Sequence, residues 1–173
     1  EVIGTGTTLD SGRLRYLLGG YFGIDPRSVH AYVIGEHGDS EFVPWSQAMI
    51  ATKPVLDVID DDPSSYSYDR LIQIEDEVRK SAHFIIEAKN SSCYGIGSAM
   101  ARITKAILDD ENSILTVSSL LHGDYGQHDV CAGSPCVIGA KGVTAKLRLS
   151  LLDYELKRFN DSCEALRGAM ITV

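Results

Sequence analysis

The chain has 173 residues, 44% of them hydrophobic and 23% charged, and its 16 Lys and Arg stand against 24 Asp and Glu for a formal net charge of −8. That length fits one domain, able to bury roughly 70% of its unfolded surface without disulfide or metal staples. The acidic balance speaks against a general nucleic-acid binder and against attraction to an anionic membrane, so an anionic ligand must be met by a few sheltered cations.

No run approaches the roughly 20 apolar residues of a membrane span. The opening EVIGTGTTLDSGRLRYLL has no basic stretch leading into an apolar one, so no signal peptide is expected. Cys93, Cys131, Cys136 and Cys163 form no CxxC pair, which argues against a zinc knuckle and for reduced thiols in a cytoplasmic protein.

Residues 7–22 read as a helix, with Thr7 as cap and Leu14, Leu17, Leu18 and Tyr21 on an apolar face. Gly23-Ile24-Asp25-Pro26 is a turn. Val29 to Ile34 reads as a strand running into the polar loop Gly35-Glu36-His37-Gly38-Asp39. Residues 52–66, with Lys53-Pro54, three consecutive aspartates and Pro63-Ser64-Ser65, read as exposed loop. A long helix is predicted from about Tyr68 to Lys89, since Leu71, Ile74, Val78, Ala82 and Ile85 recur at helical spacing. Asn90-Ser91-Ser92 interrupts it, and Gly97 to Leu108 forms a second helix. Strands follow over Ile114 to Leu121, Val130 to Ile138 and the alternating Val143 to Leu151. A last amphipathic helix carries Leu156, Phe159, Cys163, Leu166 and Met170. Helices and strands come in blocks, and the three late strands are joined by short turns, so the expected class is α+β with an antiparallel meander.

Neither GTGTTL nor GIGSAM meets the GxGxxG dinucleotide fingerprint, and no GxxxxGK[ST] phosphate loop is present. Three residues draw attention instead. His37 lies between glycines after a strand, where a histidine can donate and accept a proton near neutral pH. Asp10 and Arg13 are three apart on one helix face. Spacing alone favours a capping carboxylate with a solvated ion pair over a working set in which Asp10 orients the histidine and Arg13 grips a carboxylate. Arg15 lies about 200° around the helix from Arg13; with His30 it could form a second anion site. Glu36, His37 and Asp39 lack the spacing of a metal site, and no metal is expected.

The segments VIGTGTTLDSGRLRYLLGGYFG and VHAYVIGEHGDSEFVPWS, followed by YGIGSAMARITKAILDDEN, LTVSSLL and HGDYGQHDV, strongly resemble the L-lactate dehydrogenase family over nearly the whole chain. The GEHGD loop after LDSGRLR is the most specific element. The resemblance implies that residues 1–173 form the single C-terminal, substrate-binding domain of a two-domain, NAD-dependent enzyme, with the Rossmann half absent from this chain. It implies His37 as the acid/base that protonates pyruvate's carbonyl, Asp10 as the carboxylate orienting that histidine, and Arg13 as the grip on the substrate carboxylate. Ser92 falls where the family usually has threonine beside the substrate methyl. Ile96 matches the apolar residue against the nicotinamide, and Thr5 a small hydroxyl residue near the carboxamide. Arg15 and His30 match positions that bind fructose 1,6-bisphosphate in allosteric bacterial members, which implies an effector-regulated tetramer. The other readings are a malate or other 2-hydroxyacid dehydrogenase, since related enzymes share the His, Asp and Arg set, and a non-catalytic oligomerisation or effector module. His83, Asn90-Ser91 and the strand around Cys131 and Cys136 depart from the family pattern without a mechanistic reading.

Overall fold

The computed structural model describes residues 2–170. Helix α1 (Thr8–Phe22) ends where Gly23 turns left-handed at φ 66° and donates its N–H to the Gly19 carbonyl. Leu14, Leu18 and Phe22, at successive steps of four, are buried against Leu71, Ile74 and Val78 of α3 (Tyr68–Lys89). The predicted bounds of α3 coincide with the observed ones. Ser67 caps its start by accepting the Arg70 N–H, and left-handed Asn90 (φ 56°) stops it.

The strand predicted over 29–34 is shorter. Only Val29–His30 (β1) pairs as a strand, antiparallel to β2 (Met49–Ile50), which pairs with β3 (Lys53–Pro54). Beyond His30 the backbone groups are taken by α1 side chains instead of a neighbouring strand. Arg15 donates to the Ala31 carbonyl, Thr7 Oγ1 to the Val33 carbonyl at 2.6 Å, and the Val33 N–H donates to Ser11 Oγ at 2.9 Å. Ladder pairing returns only as single bridges, Ile34 with Phe42 and Gly35 with Gly133.

Residues 52–66 are not all loop. Val55–Asp61 forms a short helix, α2, which buries Val55 and Ile59 one turn apart in the α1–α3 core. The prolines and aspartates point to a loop, but the i,i+4 apolar pair decides the outcome. Helix α4 (Cys93–Leu108) begins one turn earlier than predicted. The meander is formed as expected, with β4 (Ser113–His122), β5 (His128–Gly139) and β6 (Gly142–Lys146) antiparallel in that order. The third strand stops at Lys146, not Leu151. The following chain leaves the ladder, the Leu149 N–H donates to the Tyr125 hydroxyl, and Leu149 and Leu151 pack on the Phe159 cluster of α5 (Asp153–Met170). The class is α+β, and all the paired strands among the described residues are antiparallel. Among the described residues no helix is long and apolar enough to cross a membrane.

Helix α5 also pins the polar loop after Gly35. Fully buried Ser162 accepts the Glu36 N–H at 2.7 Å and lies 3.0 Å from Ser40 Oγ, whose hydroxyl donates to the Glu36 carboxylate. Gly35 has φ +95°, and a Cβ there would sit 2.5 Å from Ser162 Oγ. Gly35→Ala is therefore expected to cost about 2–3 kcal/mol, from positive-φ strain and from displacing the serine. Urea denaturation of Gly35→Ala, Ser162→Ala and the double variant checks this, and the double variant should lose less than the sum.

Candidate active site

The N-terminus of α1 is stitched into the fold by hydroxyls. Thr8 Oγ1 donates to the Thr116 carbonyl of β4 at 3.1 Å, and Ser11 Oγ lies 2.8 Å from Thr116 Oγ1. With the Thr7 and Ser11 bonds to Val33, these contacts fix one turn of helix between β4 and the segment leading into the His37 loop. They set Asp10, 1% exposed, directly beside that loop.

Asp10 bridges the other two residues. His37 Nδ1 lies 2.7 Å from Asp10 Oδ2, the separation of a charge-assisted hydrogen bond, and Arg13 NH1 lies 3.1 Å from Asp10 Oδ1. Nδ1 is then the atom that keeps its proton, and Nε2, with no hydrogen bond among the described residues, is left for a ligand. The imidazole is raised to about 10, first by the Asp10 hydrogen bond and next by Glu41, against the cost of partial burial. At neutral pH this histidine is a proton donor in waiting. Its side chain is 45% exposed, so the donor faces a space that this chain does not close.

Glu41 was not among the residues singled out from sequence. A turn in which the Glu41 N–H donates to the Gly38 carbonyl folds it back, and its Oε2 comes to 3.7 Å from His37 Nδ1. An i,i+4 spacing in a glycine loop carries no facing rule, so no sequence pattern marked it. Asp10, His37 and Glu41 are the one His/Cys/Asp/Glu grouping among the described residues whose ligand atoms lie within 4.8 Å of one another. The contact of Nδ1 to Asp10 is a hydrogen-bond length, shorter than the roughly 3.4 Å that separates two ligands around a tetrahedral zinc at about 2.1 Å.

Among the described residues Arg13 has no hydrogen bond to His37. Its NH1 is engaged by Asp10, while NH2 points towards the first turn of α4, 3.7 Å from where a Gly95 Cβ would stand. A Cβ at position 95 would meet the guanidinium at an ordinary contact distance and would crowd Leu9 Cδ2, at 3.1 Å. Ser92 occupies the N-cap of α4 without a capping bond, so its hydroxyl is not committed to the helix. Ile96, half-buried, follows on the same first turn, and Thr5, also half-buried, lies just before α1. One carries an apolar side chain and the other a hydroxyl; among the described residues there is no glycine-rich cradle for the phosphates of a dinucleotide.

A cavity of about 680 Å³ opens between α1, α3 and α4, lined by Leu9, Arg13, Arg15, Phe84, Ala99 and Arg102 among others. It reaches both arginines although they lie on opposite sides of α1, because its lining spans a wide arc of that helix. His37 does not border it. Burial lowers the pKa of Arg15, which donates to the Ala31 carbonyl at 3.3 Å. His30, one residue before Ala31, is exposed, and no hydrogen bond joins it to Arg15 among the described residues.

Residues 7–173 match the lactate/malate dehydrogenase, alpha/beta C-terminal domain family. The chain belongs to that family. Among curated relatives, it is 46% identical over 173 residues to L-lactate dehydrogenase 1 of Bacillus cereus and to L-lactate dehydrogenase 2 of Bacillus anthracis, covering 100% of this chain and 55% of each relative. Among solved structures, a lactate dehydrogenase from a Medee basin deep-sea metagenome library superposes with TM-score 0.92 at 46% identity, over 96% of this chain and 53% of that one. The minor L-lactate dehydrogenase of Enterococcus mundtii in its ligands-bound form gives TM-score 0.94 at 38% identity, over 99% and 55%. The chain thus spans about half the length of the relatives it matches.

Proposed function

We propose that this chain is the substrate-binding domain, residues 1–173, of a two-domain, NAD-dependent L-lactate dehydrogenase of the cytoplasm that interconverts pyruvate and L-lactate. The observation that carries the reading is Asp10, a buried carboxylate with one oxygen on His37 and the other on Arg13. It ties a proton donor to a carboxylate grip, the two functions a 2-oxo acid needs at adjacent atoms. The similarity to proteins named L-lactate dehydrogenase supports the choice of substrate.

In reduction, His37 Nε2–H donates a hydrogen bond to the carbonyl oxygen of pyruvate and then its proton, which ends on the lactate hydroxyl. NADH, which Thr5 and Ile96 would meet at its nicotinamide end, would supply the hydride to the carbonyl carbon. Asp10 stays ionised and holds Nδ1–H, so the ring keeps its orientation and its positive charge is met before transfer. Arg13 presents NH2 and Nε to the substrate carboxylate while NH1 remains on Asp10. Ser92 would stand beside the substrate methyl, and Thr5 and Ile96 against the nicotinamide end of the cofactor. In lactate oxidation neutral His37 takes the hydroxyl proton back.

Arg15 and His30 are assigned to an anionic effector, fructose 1,6-bisphosphate, shared between subunits of a homotetramer. Among the described residues no hydrogen bond joins the two, in agreement with a site completed by a partner subunit. Arg15→Glu combined with His30→Glu is expected to abolish activation of the full-length protein by the sugar bisphosphate and leave basal turnover near normal. Unchanged activation in a steady-state assay rejects the assignment.

The reading itself is tested by NADH oxidation at 340 nm. The full-length protein oxidises NADH in the presence of pyruvate, and the isolated 173 residues do not, because they meet only the nicotinamide end of the cofactor and carry no GxGxxG cradle for its phosphates. A full-length protein inactive on pyruvate, or an active isolated chain, overturns it; the first result would leave a module for oligomerisation or effector binding.

A further inference from the structure

Glu41 has no part in the chemistry above, yet its carboxylate is aimed at the acid/base. Its side chain is 4% exposed, and Oε2 is enclosed with no hydrogen-bond partner among the described residues. A buried carboxylate oxygen in that state is costly unless a nearby positive charge meets it. The charged groups on the surrounding elements are committed elsewhere. On α1, Arg13 is held by Asp10 Oδ1. On α3, Arg79 pairs with Glu75 at 3.0 Å and Asp76 at 2.6 Å, and touches Glu41 only through the backbone carbonyl, at 3.3 Å. On α5, Arg158 binds Glu75 and lies over the Phe42 ring. In the loop itself, the Glu36 carboxylate is turned to Ser40. Within 4.0 Å, the His37 imidazole is the only ionisable cation that faces the Glu41 carboxylate among the described residues.

We propose that Glu41 is a positioning residue: a second carboxylate that acts with Asp10 to keep His37 doubly protonated, the form ready for carbonyl reduction. The Asp10 carboxylate stands closest to Nδ1, at 2.7 Å; Glu41, at 3.7 Å, acts by charge. The upward shift of the imidazole has Glu41 as its second cause, and burial raises the Glu41 carboxyl itself while the imidazolium pulls it back. Removing the Glu41 charge must lower the pH at which His37 loses its proton, since an anion beside a cationic acid favours its charged form. The part of the proposal that concerns turnover rests on the dehydrogenase reading; the proton-holding part does not.

The test uses the full-length protein as wild type, Glu41→Gln and Glu41→Asp. Two quantities are read against pH: kcat/KM for pyruvate at saturating NADH, and the titration of His37 by NMR of histidine-labelled protein. In Glu41→Gln, both the alkaline limb of the rate and the His37 titration are expected to fall by about one pH unit, so that the rate above the limb drops about tenfold. In Glu41→Asp, which keeps the charge but withdraws it by one methylene, the shift is smaller and in the same direction. A loss by one common factor at every pH, with the His37 titration unmoved in both variants, assigns Glu41 a purely structural role and overturns the proposal. A wild type inactive on pyruvate sinks the dehydrogenase reading instead, while the His37 titration still decides whether Glu41 holds the proton. Should Glu41→Gln fail to fold, an unshifted Glu41→Asp rejects the proposal.

Discussion

Replacing His37 with asparagine in the full-length protein is expected to slow pyruvate reduction at pH 7 by about 10³-fold, within the range of about 10²–10⁴ typical of a lost general acid. Asparagine keeps a polar group of similar reach, so pyruvate is still bound through Arg13 and its KM changes far less than kcat. What disappears is the transferable proton. In the wild type the Asp10 hydrogen bond raises the imidazole to about 10, so at pH 7 the site carries that proton in nearly every molecule. In the variant the oxygen of the forming alkoxide must find its proton in water. Single-turnover mixing of enzyme–NADH with pyruvate separates this from a binding defect; a variant that retains the wild-type rate removes His37 from the chemistry.

Arg13→Lys is expected to lower kcat/KM for pyruvate by about 10²–10³-fold, corresponding to about 3–4 kcal/mol for a desolvated, hydrogen-bonded charge pair. Lysine retains the positive charge and could still reach Asp10. It has no planar fork, however, and cannot stay on Asp10 while presenting two parallel donors to a carboxylate. The geometry makes that distinction concrete, because NH1 is on Asp10 and NH2 is the nitrogen left pointing at the first turn of α4. The loss should fall on KM and kcat together, since the same grip orients the carbonyl under His37. Full activity in the lysine variant would mean that a point charge suffices and that the fork has no role.

What was legible in the sequence follows from how local the deciding physics is. Helix α3 was legible because its signals are local: an apolar stripe at helical spacing and a polar Asn90-Ser91-Ser92 interruption at its end. The β4–β5–β6 meander was legible for the same reason, as alternation between turn residues. The strand after Val29 was over-extended because its hydrogen bonds go to Thr7, Ser11 and Arg15, hydroxyl and guanidinium groups distant in sequence. Helix α2 was missed because seven residues rich in aspartate look like loop until Val55 and Ile59 are buried by α1 and α3.

The site was legible in part. Asp10 and Arg13 share a helix face by spacing alone, and that spacing also suits a solvated ion pair; only the burial of Asp10 and its contact with His37 separate the two. The family resemblance supplied the roles that spacing could not. Neither route pointed to Glu41 or Ser162, which reach the His37 loop through a turn and through a helix more than a hundred residues away.

Steady-state rates of the full-length protein on pyruvate, oxaloacetate and 2-ketoisocaproate, measured with NADH at one pH, test the central claim most directly. All three offer the same carboxylate to Arg13 and the same carbonyl to His37, so the comparison isolates the side chain that the pocket accepts. An L-lactate dehydrogenase gives the highest kcat/KM with pyruvate. A preference for oxaloacetate or for 2-ketoisocaproate would contradict that assignment and place the chain with the malate or branched 2-hydroxyacid enzymes instead.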